Sequence, residues 1–197
     1  MTIKYLGHAS FLIKTKGTSI ITDPFDEEMV GLKFPKLEAD IVTLSHHHKD
    51  HDQAKNVKGE PLILDWPGEF EKNEVRVFGY MSYHDSEKGA KRGENILYKF
   101  ESEGISVLHC GDLGEVPDQK IIDEIGDIDI LLVPVGGFYT IGADEAKELC
   151  RRIEPSIIIP MHYNHSGLNQ KTFEKLTPVD DFLKTIGSEK KEPVEEL

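Results

Sequence analysis

The stretch of this chain richest in chemistry is Ser45-His46-His47-His48-Lys49-Asp50-His51, which contains the pattern H-x-H-x-D-H. Imidazole and carboxylate donors at this density suit zinc, manganese or iron, and no thiolate accompanies them. The run follows Asp40–Leu44 (DIVTL), a short apolar segment of the kind that forms a buried strand. A loop leaving such a strand can turn alternate side chains inward, so His46 and His48 can share one ion. Asp50 and His51, on the next turn, then face a second ion, and His47 points away. The competing reading is a solvated histidine-rich loop or an adventitious metal tract. A bare triple histidine would favour that reading, whereas the ordered hexapeptide after an apolar strand argues against it.

Six residues cannot complete two coordination spheres, so further ligands must come from elsewhere. Three candidates stand at the ends of expected strands, where sites on α/β scaffolds usually sit. His84 (MSYHDS) follows Val75–Tyr80, Asp112 (LHCGDLG) follows Ile105–Leu108, and His162 (IIIPMHYNH) follows Ser156–Pro160. Gly111 and Gly114 permit a tight loop around Asp112. Singly, each has an ordinary explanation, since histidine often satisfies a buried carbonyl and Gly-Asp is often a turn. Their joint occurrence, in order and each after an apolar run, carries the inference.

Positioning these residues takes a strand-rich scaffold. Ile3–Leu6, Ser10–Lys14 and Thr18–Thr22 are punctuated by Gly7 and Gly17 and ended by Asp23-Pro24, which predicts a meandering antiparallel sheet edge. Pro61–Leu64, Val75–Tyr80, Asn95–Phe100, Ile105–Leu108, Asp129–Val133 and Ser156–Ile159 read as further strands. Helical patterns cover Gln119–Ile125, Ala143–Ile153, Gln170–Leu176 and Val179–Ile186. Strand-rich halves, each with helices, predict an α/β sandwich with helices outside two sheets. Residues 1–187 read as a single domain without an internal linker, and 188–197 (SEKKEPVEEL) as a charged, frayed tail.

The 197 residues fit one domain, open to internal duplication, and 38% hydrophobic with 30% charged residues is a globular balance. No stretch approaches the roughly 20 apolar residues of a membrane span. The start, MTIKYLGHASFLI, enters strand-like alternation without a secretory pattern, so the expected location is cytoplasmic. A net charge of −13 disfavours a long nucleic-acid partner, whose affinity rests on a basic surface. It leaves room for a small anionic substrate, because bound cations would dominate the local field. Cys110 and Cys150 offer neither a disulfide framework nor a CxxC metal site and read as packing residues. The oligomeric state is left open.

With this ordered set of motifs the chain resembles the metallo-β-lactamase superfamily over almost its whole length. YLGHASFLI, ITDPF, VPVGGFYTIG and IIIPMHYN look like its small-molecule branch, the one containing ascorbate-6-phosphate lactonase. The resemblance implies a four-layer αββα sandwich built from two similar halves. It implies His46, His48 and His84 on one ion, Asp50, His51 and His162 on a second, and Asp112 bridging them. Asp23 looks like the aspartate that orients a ligating imidazole, with a plain Asp-Pro turn as the alternative. His8 is placed at the pocket rim, as a substrate contact or a satisfied interior histidine. His109 falls outside the coordination sphere, in an outer or core role, and His165 reads as a surface residue. Lys49 departs from the small or neutral residues usual in related sequences; it either attracts anions or points to solvent. A di-iron redox relative would usually carry a carboxylate where this chain has His48, which favours hydrolysis.

The expected mechanism uses two divalent ions about 3.5–4 Å apart that share a water and lower its pKa from near 16 towards neutrality. The hydroxide attacks a small ester, lactone or phosphoester, with Asp50 and Asp112 as the catalytic carboxylates and Asp50 taking or relaying the proton. The alternatives are a metal-dependent phosphodiesterase or nuclease, and a metal-binding protein of low activity.

Overall fold

Alternating apolar residues drive the opening strands of this computed structural model, which describes residues 1–188 and 197. β1 (Thr2–Gly7), β2 (Ser10–Lys14) and β3 (Ser19–Thr22) form an antiparallel meander. β4 (Ile41–Thr43) and β5 (Leu62–Leu64) extend it in parallel, giving a five-stranded sheet in chain order. Side chains on a strand point to opposite faces in turn. Phe11, Ile13, Ile20 and Ile41 accordingly enter one core, while Leu12, Ile21 and Val42 enter another on the opposite face.

The second sheet has six strands: β6 (Gly68–Lys72), β7 (Val75–Tyr83), β8 (Glu94–Ser102), β9 (Ile105–His109), β10 (Ile130–Pro134) and β11 (Ile157–Met161). Their spatial order is β11-β10-β9-β8-β7-β6, with β6 to β9 antiparallel and β9 to β11 parallel. Val75, Val77, Tyr98, Phe100 and Val107 share the inter-sheet core with Phe11 and Ile13, all fully buried. Two short helices, α1 (Glu27–Val30) and α4 (Gln170–Phe173), add Val30 and Phe173 to the outer core of the first sheet. α2 (Gln119–Ile125), α3 (Ala143–Ile153) and α5 (Val179–Thr185) belong with the second sheet, where Ile125, Ala146, Leu149 and Phe182 join its core. This is the four-layer αββα sandwich. No helix among the described residues is long and apolar enough to cross a membrane.

One device recurs in both sheets where a parallel strand pair begins. Asp40 Oδ2, ahead of β4, accepts from Ser19 N and Oγ on β3, both at 2.8 Å. Asp129 Oδ2, ahead of β10, accepts from Ser106 N and Oγ on β9 at 2.8 and 2.9 Å. The repetition gives the two halves a shared local construction.

Two elements escape the apolar pattern. β6 (GEFEK) has one large apolar side chain, Phe70, and forms the exposed edge of its sheet. α1 is a single turn that Asp26 caps through Met29 N, in the segment between β3 and β4 for which the sequence pattern predicts no element. The charged tail lies outside the described residues except for Ser188, whose N–H donates to Leu183 O at 2.8 Å, and Leu197, whose backbone exchanges hydrogen bonds of 2.8 and 2.9 Å with Ile3.

Candidate metal centre

All the candidate ligands emerge at one end of the sandwich, beyond the carboxyl ends of its parallel strands, where ligands bind in open α/β sheets. β4 delivers Ser45–His51, β3 delivers Asp23, β9 leads to Asp112 and β11 to His162. β7 runs on to Tyr83, three residues beyond the expected end at Tyr80, because the β8 hairpin pairs it as far as Tyr83–Glu94; His84 follows at once. Gly111 has φ 53°, and a Cβ there would stand 2.4 Å from Ser45 Cβ and 2.5 Å from Asn95 Oδ1. Glycine is therefore what lets the Asp112 loop approach the histidine loop.

Two clusters result, each with one donor atom per residue lying within 4.8 Å of the others: His46, His48 and His84; and His8, Asp50, His51 and His162; a third group of the same spacing, His46, His51 and Asp112, takes one histidine from each. Asp112 lies between them. Its Oδ2 is 3.2 Å from His84 Nε2 and 3.3 Å from His162 Nε2, and its Oδ1 is 3.2 Å from His51 Nε2. These short approaches are not all hydrogen bonds. His46 Nε2, His51 Nε2 and Asp112 Oδ1 are buried without a hydrogen-bond partner. Buried polar atoms are normally satisfied, so orphaned donors that converge on one point fit a cation.

A further set of groups holds the cluster in place. Asp23 Oδ1 accepts from Ser45 N at 2.7 Å, and Oδ2 accepts from Ser45 Oγ at 2.6 Å and His51 Nδ1 at 2.9 Å. It is more than the plain Asp-Pro turn weighed as its alternative. Asn95 Oδ1 accepts from Asp112 N at 2.9 Å, while its Nδ2 donates to Ser82 Oγ and Cys110 O. His109 Nε2 donates to Ala9 O at 2.7 Å, a structural role away from the clusters. His8 has φ 56° in the β1–β2 turn, which tucks its ring inside, 1% exposed, with Nε2 3.2 Å from Asp50 Oδ2. It is an interior residue and not a rim residue.

Burial opposes charge on Asp50, yet His51 and the His8 hydrogen bond hold its carboxyl well below the usual range. Asp112 is held low against burial by His162, His51 and His84. Burial likewise opposes a charged His51, but Asp112 and Asp50 raise it well above its ordinary value. Burial, with His162 beside it, pushes His8 down to about 4. Two buried carboxylates thus call for positive charge in their midst, the condition a divalent cation meets.

His47 points outward, 3.8 Å from Asp65, and Lys49 is exposed. His165 is half-buried and accepts from Gly167 N through Nδ1. Cys110 and Cys150 are free and buried, and burial raises both thiols, that of Cys150 to about 11. Sequence reasoning missed Asn95 and Asp85. Asp85 accepts from the backbone N–H groups of Glu87, Gly89, Lys91 and Arg92, folding the loop after His84 around its carboxylate. Its one legible signal is the Asp-Ser pair followed by glycines, an Asx-turn pattern.

A sandwich of two sheets with converging histidines and aspartates at the strand ends defines the metal-dependent hydrolases of the metallo-β-lactamase kind. The chain belongs to this superfamily: the model of the beta-lactamase superfamily domain matches residues 2–162. It is 28% identical to a metal-dependent hydrolase of Natranaerobius thermophilus over 190 residues, covering 83% of this chain and 84% of the relative. A metal-dependent hydrolase of Thermococcus onnurineus is 29% identical over 189 residues, covering 82% and 84%. A candidate zinc-dependent hydrolase of the superfamily from Thermotoga maritima, solved as a crystal structure, is 43% identical. It matches with a TM-score of 0.82 over 100% of this chain and 90% of its own.

Proposed function

We propose that the chain hydrolyses a small ester, lactone or phosphoester at a dinuclear centre, in the manner of the ascorbate-6-phosphate lactonase-like branch. The observation that carries this reading is Asp112, whose carboxylate lies between the two histidine clusters with Oδ1 buried and unpartnered. His46, His48 and His84 would hold one ion, Asp50, His51 and His162 the other, with Asp112 shared. Zinc is the first candidate, as in the name of the Thermotoga maritima relative, and manganese suits the same donors. When bound, the ions supply an acidified water as nucleophile and a Lewis-acid contact for the substrate oxygen.

The chain's own residues do the rest. Asp23 fixes the His51 ring through Nδ1, leaving Nε2 free. Asp50 takes the proton released in the attack, and His8, bonded to it through Nε2, keeps the carboxylate oriented. Phe173, Tyr139 and Met29 beside the clusters offer an apolar wall that limits water around the substrate. The acidic chain favours a small molecule over nucleic acid.

The test is a panel of lactones, p-nitrophenyl esters and bis-p-nitrophenyl phosphate with zinc or manganese. Ester or lactone turnover is expected, reduced on the order of a hundredfold or more in Asp50→Ala. Turnover of the phosphodiester alone would sink this reading in favour of a phosphodiesterase. Unchanged activity and metal content in Asp50→Ala would remove the enzyme from this site.

A further inference from the structure

We infer that Arg92 selects substrates bearing an anionic group, carboxylate or phosphate, next to the bond that is cleaved. This deepens the hydrolytic reading above and rests on it. Arg92 lines both cavities that flank His48. One, of about 290 Å³, has Asp50, His84, Asp112 and His162 in its wall. The other, of about 360 Å³, is bounded by His46, His48 and the exposed Trp66.

Its position is set from two sides. The backbone N–H donates to Asp85 Oδ2 at 2.7 Å, anchoring the loop, and Nη2 donates to Phe138 O at 3.0 Å. The guanidinium carbon lies 5.6 Å from the Tyr139 ring centroid and 6.0 Å from that of Phe138. A carbonyl and two ring faces orient this cation without neutralising it.

The chain's other three arginines, Arg76, Arg151 and Arg152, are ion-paired with glutamates. Among the described residues the Arg92 guanidinium has no carboxylate partner, although the chain carries 36 acidic residues. Arg92 is a half-buried residue in the wall of the cavity that holds the candidate metal ligands, and its guanidinium keeps N–H donors beyond the one given to Phe138. A planar fork of this kind matches carboxylate or phosphate oxygens. Lys175 Nζ lies 4.7 Å from the centroid of the Phe138 ring that Arg92 also faces, a second positive charge beside it. The remaining wall, with Met29, Tyr139 and Phe173, suits the hydrocarbon part of such a substrate.

The test compares mono-p-nitrophenyl glutarate with neutral p-nitrophenyl butyrate on the zinc-loaded protein. It is paired with calorimetric binding of 4-phenylbutyrate against its uncharged amide. Wild type is expected to favour the acid of each pair by about tenfold, the order of one charge-assisted hydrogen bond. Arg92→Lys, which keeps the charge, retains most of that preference. Arg92→Gln, which can still donate to Phe138 O, loses it, through KM for the esters and through affinity for the ligands. A preference that survives in Arg92→Gln, or is absent from wild type, overturns the proposal. If neither ester turns over while the binding preference follows the charge at position 92, anion selection stands and the hydrolytic reading fails.

Discussion

Asp23 does more at this site than its place in an Asp-Pro pair implies. Its two oxygens accept from Ser45 N, Ser45 Oγ and His51 Nδ1, and it is fully buried at φ 41°. Asparagine tolerates that backbone conformation but exchanges one acceptor oxygen for an N–H₂ donor. Asp23→Asn therefore breaks at least one of the three bonds without straining the turn. We expect zinc affinity to fall by about 10–100-fold, measured by competition with a chromophoric chelator. An unchanged affinity together with a lowered melting temperature would mean that Asp23 serves the fold alone. At this scale the candidate ligands were legible, because each stands in a local pattern of residue type after an apolar run. Asn95 was not: a lone asparagine opening a strand has no local mark, and its bond to Asp112 N spans 17 residues of sequence.

The strands and the loops between them decide whether those residues meet. The repeated Asp–Ser clamps at Asp40 and Asp129 join parallel strands in each half, and both carboxyls are held below the ordinary range by the serine N–H and O–H donors. A carboxyl whose folded pKa is depressed stabilises the protein above the unfolded value near 3.9. That contribution disappears as pH falls from about 4 through the lower folded value. Asp40→Asn and Asp129→Asn should each lower the melting temperature by a few degrees at pH 7. The gap to wild type should close as both are titrated below pH 4 in scanning calorimetry; a gap independent of pH would assign the effect to lost side-chain geometry. Most strands were readable from β-branched runs between turn residues. β6 was not, since an edge strand with one apolar side chain lacks the alternation that marks burial, and the β7–β8 ladder extends past the expected end at Tyr80 through pairing with β8 and the Ser82–Asn95 bonds.

Across the whole molecule, the inter-sheet core holds both halves in register and so holds Asp112 and His162, from one sheet, against His46 and His51, from the other. Phe100 is fully buried in that core. Truncation to alanine should cost about 3–5 kcal/mol, read from urea unfolding with the m-value unchanged. A cost under 1 kcal/mol would mean that the sheets close over the gap. Composition, charge and period-two patterning determine by themselves a layered α/β chain with histidines and aspartates at its strand ends, because those properties are local in sequence. Only the tertiary structure decides that His8 turns inward to Asp50, that Asp112 lies between two clusters, and that the Arg92 guanidinium, at the mouth of the site, has no acidic partner among the described residues. Each of these depends on which distant segments the packed sheets bring within hydrogen-bond reach, and no spacing along the chain encodes that distance.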